Sequence, residues 1–472
     1  MLVQQFFVDG LAQSSYLLGG ANTCAIVDPR RDVDIYIAAA KALGMKITHV
    51  LETHLHADFI SGHMDLAEKI GARIFAPKGG NCRFEHVGLV EGDRFEIEDM
   101  AISVLDTAGH TPEHISYVVS DLARGKEPAG VFCGDTLFVG DVGRPDLFPG
   151  KARELASRLF DNLHGKLMKL PDFCEVYPAH GAGSLCGRSM GAKRTSTIGY
   201  ERKYNAALQI RDRDEFMASL TTNMPSAPDH FARCSATNAA GPALVRTLPT
   251  PSPMTPEAFA ERAKAPNALV LDSREYEAFG GQHVPGAWHI DLGGNFSTFA
   301  GWVLPVGGEI LLVADSGQTA QETAVKLRRV GLDLVTGYLD GGMFAWAMAG
   351  LPTEHVGQLC ARELHEMATS SGGMALVDVR APREFEALHI EGAVNIPAPE
   401  LRSRYAELPK GMPIALICST GHRSSLAAGI LQRNGFPDVR NVAGGMTGYN
   451  AAGFAKECPV CVVPHGPRFQ GK

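Results

Sequence analysis

The chain has 472 residues, enough for about three domains of ordinary size. Its 45% hydrophobic and 20% charged residues exclude a mainly disordered chain. A net charge of -8, from 44 basic and 52 acidic residues with no basic run, speaks against a nucleic-acid partner, and no run of 18 apolar residues is present to span a membrane. Ten cysteines are too sparse for a disulfide framework, and no basic region precedes the apolar residues at the start, so a cytoplasmic protein with reduced thiols and no signal peptide is expected.

Short apolar runs at Gln5–Val8 and Ser15–Leu18, with Asp9-Gly10 between them, read as a hairpin, and strands are expected again at Cys24–Val27 and His49–Leu51. Residues able to bind a metal then recur just past predicted strand ends. His54, His56 and Asp58 follow the strand ending near Leu51. His110 sits in a Gly-bounded turn, Asp135 follows Val131–Cys133, and His180 follows Val176-Tyr177. One such histidine means little, but four strand-end positions in one region point to a shared centre.

Arg246–Pro253 carries three prolines and no hydrophobic period, so residues 246–254 are expected to form an extended linker after a first domain at 1–245. Beyond it the chain repeats. Asp272-Ser273-Arg274, Phe279, His283 and Gly286-Ala287 recur 106 positions later as Asp378-Val379-Arg380, Phe385, His389 and Gly392-Ala393. Gly341-Gly342-Met343 recurs as Gly444-Gly445-Met446 after 103, so a net three residues are deleted in between. This is one duplicated domain, at 255–356 and 357–472, the second including a C-terminal tail. Thr255-Pro256-Glu257 reads as a helix start. Buried parallel strands are expected at Ala268–Leu271, Glu309–Val313, Ala375–Val379 and Ile414–Ile417, and strand–helix alternation makes each copy an α/β domain.

The first region resembles the metallo-β-lactamase superfamily, whose HxHxDH motif is represented by His54, His56 and Asp58, and whose later ligands fall at His110, Asp135 and His180. The resemblance covers most of residues 1–245 and implies an N-terminal αββα sandwich. Phe59 stands where the motif ends in a histidine, which speaks against a two-metal hydrolytic centre of the glyoxalase II kind. Two imidazoles and a carboxylate match the facial triad of non-haem Fe(II) oxygenases. With Gly140-Asp141-Val142-Gly143-Arg144-Pro145-Asp146, the region is similar to the persulfide dioxygenase branch. That likeness implies one Fe(II) per chain on His54, His110 and Asp135. His56, Asp58 and His180 would orient ligands or bound water. Arg144 would hold the carboxylate of glutathione or else form a loop salt bridge, and zinc stays an alternative metal.

Cys418 lies between the strand Ile414–Ile417 and a helical run at Ser425–Gln432, among backbone N–H groups that favour a thiolate. Cys418-Ser419-Thr420-Gly421-His422-Arg423 is one residue shorter than a tyrosine-phosphatase-type loop. With its surrounding motifs, the second repeat resembles rhodanese, which implies a persulfide carried on Cys418, with Ser419, Thr420, Gly421 and His422 contacting substrate and Arg423 as an anion clamp. The first repeat has Asp315 and Ala320 in place of Cys418 and Arg423 and is similar to an inactive rhodanese-like domain, a spacer or docking surface. In fusions resembling this chain a cysteine at the place of Cys186 takes part in sulfur handling; a plain loop thiol is the alternative. Cys458 and Cys461, with only His465 nearby, are expected in a tail.

The implied enzyme oxidises a low-molecular-weight persulfide, first glutathione persulfide, with O₂ to sulfite, and passes sulfur through Cys418 to or from thiosulfate. The alternative is a zinc-dependent thioester hydrolase of the glyoxalase II type with an accessory rhodanese module. Proteins resembling this one form dimers or tetramers, so a homo-oligomer is expected.

Overall fold

The computed structural model describes residues 1–187, 190–222, 224, 227–369 and 373–455. Two compact units divide it: Met1–Thr247 with Arg328–Gly331, and Leu248–Leu327 with Leu332–Lys472. Cys458, Cys461 and His465 lie outside the described residues.

In the first unit, β1 (Leu2–Val8), β2 (Gln13–Gly19), β3 (Thr23–Val27), β4 (Lys46–Leu51), β5 (Arg73–Pro77) and β6 (Val87–Leu89) form one sheet in chain order. A second sheet holds β7 (Arg94–Ile97), β8 (Met100–Asp106), β9 (Ile115–Asp121), β10 (Pro128–Gly134), β11 (Glu175–Pro178) and β12 (Ser196–Thr197). The strands alternate as period 2 requires. On β2, Tyr16 and Leu18 join a core with Val104, Tyr117, Val119 and Phe132 of the second sheet, while Leu17 faces the other way, onto Tyr36 and Ala40 of the helix Asp34–Ala42. Across the second sheet, Val118, Val131 and Val176 pack on Leu159 and Leu163 of the helix Ala152–Gly165. Two sheets face to face with helices outside both make the expected αββα sandwich. The first hairpin turns through four residues, pairing Val8 with Gln13, because Leu11 and Ala12 beside Asp9-Gly10 are themselves buried.

The second unit holds two parallel sheets of identical strand order. One runs β13 (Ser252–Met254), β17 (Val335–Leu339), β16 (Glu309–Val313), β14 (Ala268–Asp272), β15 (Trp288–His289). The other runs β18 (Gly357–Leu359), β22 (Val439–Val442), β21 (Ile414–Ile417), β19 (Ala375–Asp378), β20 (Val394–Asn395). Thr255 caps the helix Pro256–Ala263 by accepting from the Ala258 N–H at 3.3 Å. One expectation changes: residues 252–254, read as linker, form β13 beside β17. An edge strand tolerates Pro253, whose missing N–H leaves the ladder intact on its paired side.

Candidate metal centre and sulfur-transfer loop

Strand ends carry the metal donors. His54 follows β4, Asp135 follows β10, His180 follows β11, and His110 lies between β8 and β9. His110 Nε2 is 3.3 Å and His54 Nε2 3.9 Å from Asp135 Oδ2. All three atoms are buried and have no hydrogen-bond partner among the described residues, and they form one of three groups whose donor atoms lie within 4.8 Å of one another. Orphaned donors converging on one point are what a bound cation satisfies, so the residues fit a metal.

Their protons are placed by neighbours. His110 Nδ1 donates to the Arg144 carbonyl oxygen at 2.8 Å, leaving the lone pair on Nε2. The Thr53 hydroxyl donates to Asp28 Oδ2 at 2.8 Å, so at 2.9 Å it accepts from His54 Nδ1, with the same result. Burial holds both imidazoles below their ordinary pKa, hence neutral. Burial favours a protonated Asp135, but His180 and His110 keep its carboxyl well below the usual range.

His180 donates from Nδ1 to Asp135 Oδ1 and lies with Nε2 against Asp58 Oδ2, both at 2.7 Å. Burial opposes its charge, yet the two carboxylates hold it protonated. It therefore braces Asp135 so that Oδ2 faces the centre. His56 Nε2 lies 3.1 Å from Asp28 Oδ1 and 3.5 Å from Glu52 Oε2. Burial again disfavours the cation, but these acids raise His56 to about 10. Burial pushes Glu52 up, and hydrogen bonds to His56 and His63 bring it down to about 2. Phe59, fully buried, packs its ring 4.3 Å from that of His56 and supplies no donor.

His114, which sequence reasoning passed over, stacks 4.8 Å from His54, and its Nε2 accepts the Asp135 N–H at 3.0 Å. Burial lowers it to about 3. Its place four residues past His110 was the available signal. Arg144 is buried, and its Nε and Nη2 grip Asp146 at 2.7 and 2.8 Å. Of the two readings open for Arg144, the loop salt bridge is the one displayed. Cys186 forms a second donor group with Asp58 and His180. Burial, reinforced by Asp58 and Asp135, keeps its thiol protonated.

In the second unit, Cys418 directly follows β21, and its Sγ accepts the Gly421 N–H at 3.1 Å and the Ser424 hydroxyl at 3.3 Å. Arg423, expected as an anion clamp, is already engaged: both Nη atoms meet Glu384 at 2.7 and 2.8 Å, and Nη2 also donates to Ser419 Oγ at 2.7 Å. Thr420 is half-buried and His422 exposed in the same loop. The first repeat, expected as a spacer or docking surface, lies against this loop. Its Tyr276 ring lies 2.9 Å from where a Gly421 side chain would begin, and its Asp291 Oδ2 lies 3.0 Å from His422 Nδ1. Glu384, Tyr276 and Asp291 were not found from sequence, because none belongs to the Cys-to-Arg loop itself.

Fold and centre together define a metal-binding αββα domain joined to a duplicated sulfurtransferase-like domain. The Metallo-beta-lactamase superfamily model matches residues 8–180, and the Rhodanese-like domain model matches residues 255–349 and 361–452. A solved metallo-beta-lactamase from Staphylococcus aureus is 34% identical with a TM-score of 0.66, covering 71% of this chain and 98% of its own. The chain belongs to the metallo-β-lactamase superfamily and carries two rhodanese-like domains. A hydroxyacylglutathione hydrolase of Rhodospirillum rubrum is 36% identical over 159 residues, 33% of this chain but only 57% of the relative's length. The mitochondrial persulfide dioxygenase ETHE1 of Mus musculus is 27% identical over 234 residues, 48% of this chain and 83% of the relative. Among the described residues no helix is long and apolar enough to cross a membrane.

Proposed function

We propose that the chain oxidises a low-molecular-weight persulfide, glutathione persulfide first, and transfers sulfane sulfur through Cys418. The observation that supports this best is the three-donor group of His54, His110 and Asp135 beside Phe59, where the hydrolase motif has a further ligand. His54, His110 and Asp135 would hold a ferrous ion, which would supply the redox chemistry by which persulfide, O₂ and water become thiol, sulfite and two protons. His54 and His110 keep their protons on Nδ1 and their Nε2 lone pairs inward. His180 fixes Asp135, and the buried Phe59 packs against His56 without supplying a donor. At the second site sulfite attacks the outer sulfur of a Cys418 persulfide. A sulfur–sulfur bond forms in thiosulfate while the bond to Sγ breaks, and its electron pair leaves on the Cys418 thiolate. The reaction also runs in reverse. The protein is proposed to act as a cytoplasmic homo-oligomer, a dimer or tetramer.

A second reading rests on the Asp58, His180 and Cys186 group: with two zinc ions the domain would hydrolyse thioesters, and the rhodanese module would be accessory. Metal analysis of anaerobically purified protein, with O₂ uptake on glutathione persulfide, separates them. One iron per chain and sulfite formation are expected; two zinc ions with thioester cleavage overturn the oxygenase.

A further inference from the structure

The repeat without a nucleophile keeps its fold but places unusual groups against the loop of its twin. Both repeats belong to one compact unit. Strand register aligns His289 with Asn395, since Asp272 pairs with the first and Asp378 with the second. By the same offset of 106, Tyr276 and Asp291 correspond to Pro382 and Pro397 in the active copy. They are therefore not parts of the shared scaffold. Asp291 is held by its own backbone: Oδ1 accepts the Gly293 N–H at 2.9 Å and Oδ2 the Tyr276 N–H at 3.3 Å. So fixed, it meets His422 Nδ1, while the Tyr276 ring stands edge-on to that imidazole with centroids 5.2 Å apart. His289 Nδ1 adds a 2.9 Å contact with Ser425 Oγ in the first turn of the helix His422–Arg433.

Charge accounting shows why this matters. The acceptor sulfite and the donor thiosulfate are anions, yet the Arg423 guanidinium already faces the Glu384 carboxylate. The remaining base of the loop is the half-exposed His422, a cation when protonated and, like Arg423, paired with a carboxylate, here through Nδ1 alone. The groups facing it are Asp291, Glu277 and Glu275 of the first repeat.

Resting on the reading of Cys418 as a sulfur carrier, we propose that the first repeat completes the sulfur-transfer site: Asp291 positions His422 as the cation that meets the anionic sulfur substrate, and Tyr276 roofs the loop at Gly421. The hydrogen bond to Asp291, against the opposing effect of burial, raises the pKa of His422 above that of a free imidazole. Its charge thus persists to higher pH with Asp291 than without it, and Asp291 and Tyr276 are positioning residues.

The test compares alkylation of Cys418 by iodoacetate and by neutral iodoacetamide in the full chain. Thiolate formation affects both reagents and cancels in the ratio, which reports the local field. In the wild type the ratio of iodoacetate to iodoacetamide reactivity fades as His422 loses its proton. Asp291→Asn moves that fade to lower pH by about one unit. His422→Gln removes the pH dependence, and the double variant adds nothing to His422→Gln alone. The KM for sulfite rises about tenfold in each variant with kcat held within a factor of about two. An unchanged ratio and pH course in Asp291→Asn, or strictly additive effects in the double variant, overturns the proposal. Should Asp291→Asn fold poorly, His422→Gln at a half-exposed position decides: a ratio that still falls with pH overturns it. Absence of sulfur transfer by the wild type sinks the carrier reading instead, and the alkylation ratio still judges the pair.

Discussion

At the residue scale, proton placement does as much as ligand identity. His54 presents Nε2 because its Nδ1–H donates to the Thr53 hydroxyl, and Thr53 accepts there because its own proton goes to Asp28. Thr53→Val keeps the volume and breaks this chain, so metal affinity is expected to fall about 10- to 100-fold, read by competition with a chromophoric chelator. An unchanged affinity would mean that packing alone sets the tautomer. The donors His54, His110 and Asp135 were legible in the sequence because each follows a strand end. Thr53, Asp28 and His114 were not, since ordinary residue types acquire these roles only through contacts between distant strands. At the other site Cys418→Ser is expected to abolish cyanide-dependent thiocyanate formation. Full retention would remove Cys418 from the chemistry.

At the scale of elements, the duplication separates what folds a repeat from what makes it react. Both copies keep a buried aspartate–arginine fork: Arg274 with Asp272 and Arg380 with Asp378, each closing at 2.6 Å. Arg380→Met leaves a buried carboxylate without its partner and is expected to cost about 3–5 kcal/mol in urea unfolding. A loss under about 1 kcal/mol would show that water reaches Asp378. The reactive parts vanish together from the first copy, where Asp315, Ala320 and Ala278 replace Cys418, Arg423 and Glu384. The repeat, its strands and the Cys418 loop were readable because spacing survives duplication; the Glu384 partner was not, being 34 positions upstream of Cys418. Gly445 shows how tightly the active copy is built. Its φ is +53°, and a side chain there would meet the Cys418 carbonyl oxygen. Gly445→Ala is expected to lower stability by about 2–3 kcal/mol and to slow Cys418 alkylation.

At the scale of the whole molecule, each compact unit has its own buried core, and only the first contains the His54, His110 and Asp135 group. Unfolding should therefore not be a single two-state event. A metal that binds the native first unit at about a thousand times its dissociation constant stabilises that unit by about 4 kcal/mol. For a domain of this size each kcal/mol shifts the midpoint by about 2–4 °C, so chelation should lower one calorimetric transition by about 10 °C. The other transition holds still, because its stability comes from parallel sheets and from forks such as Arg380 with Asp378, none of which touches the metal donors. Arg380→Met should move that second transition and leave the first. If chelation and Arg380→Met each displaced both transitions equally, the two units would be melting as one cooperative body, and the sequence division near residue 247 would mark a turn in the chain with no boundary in stability.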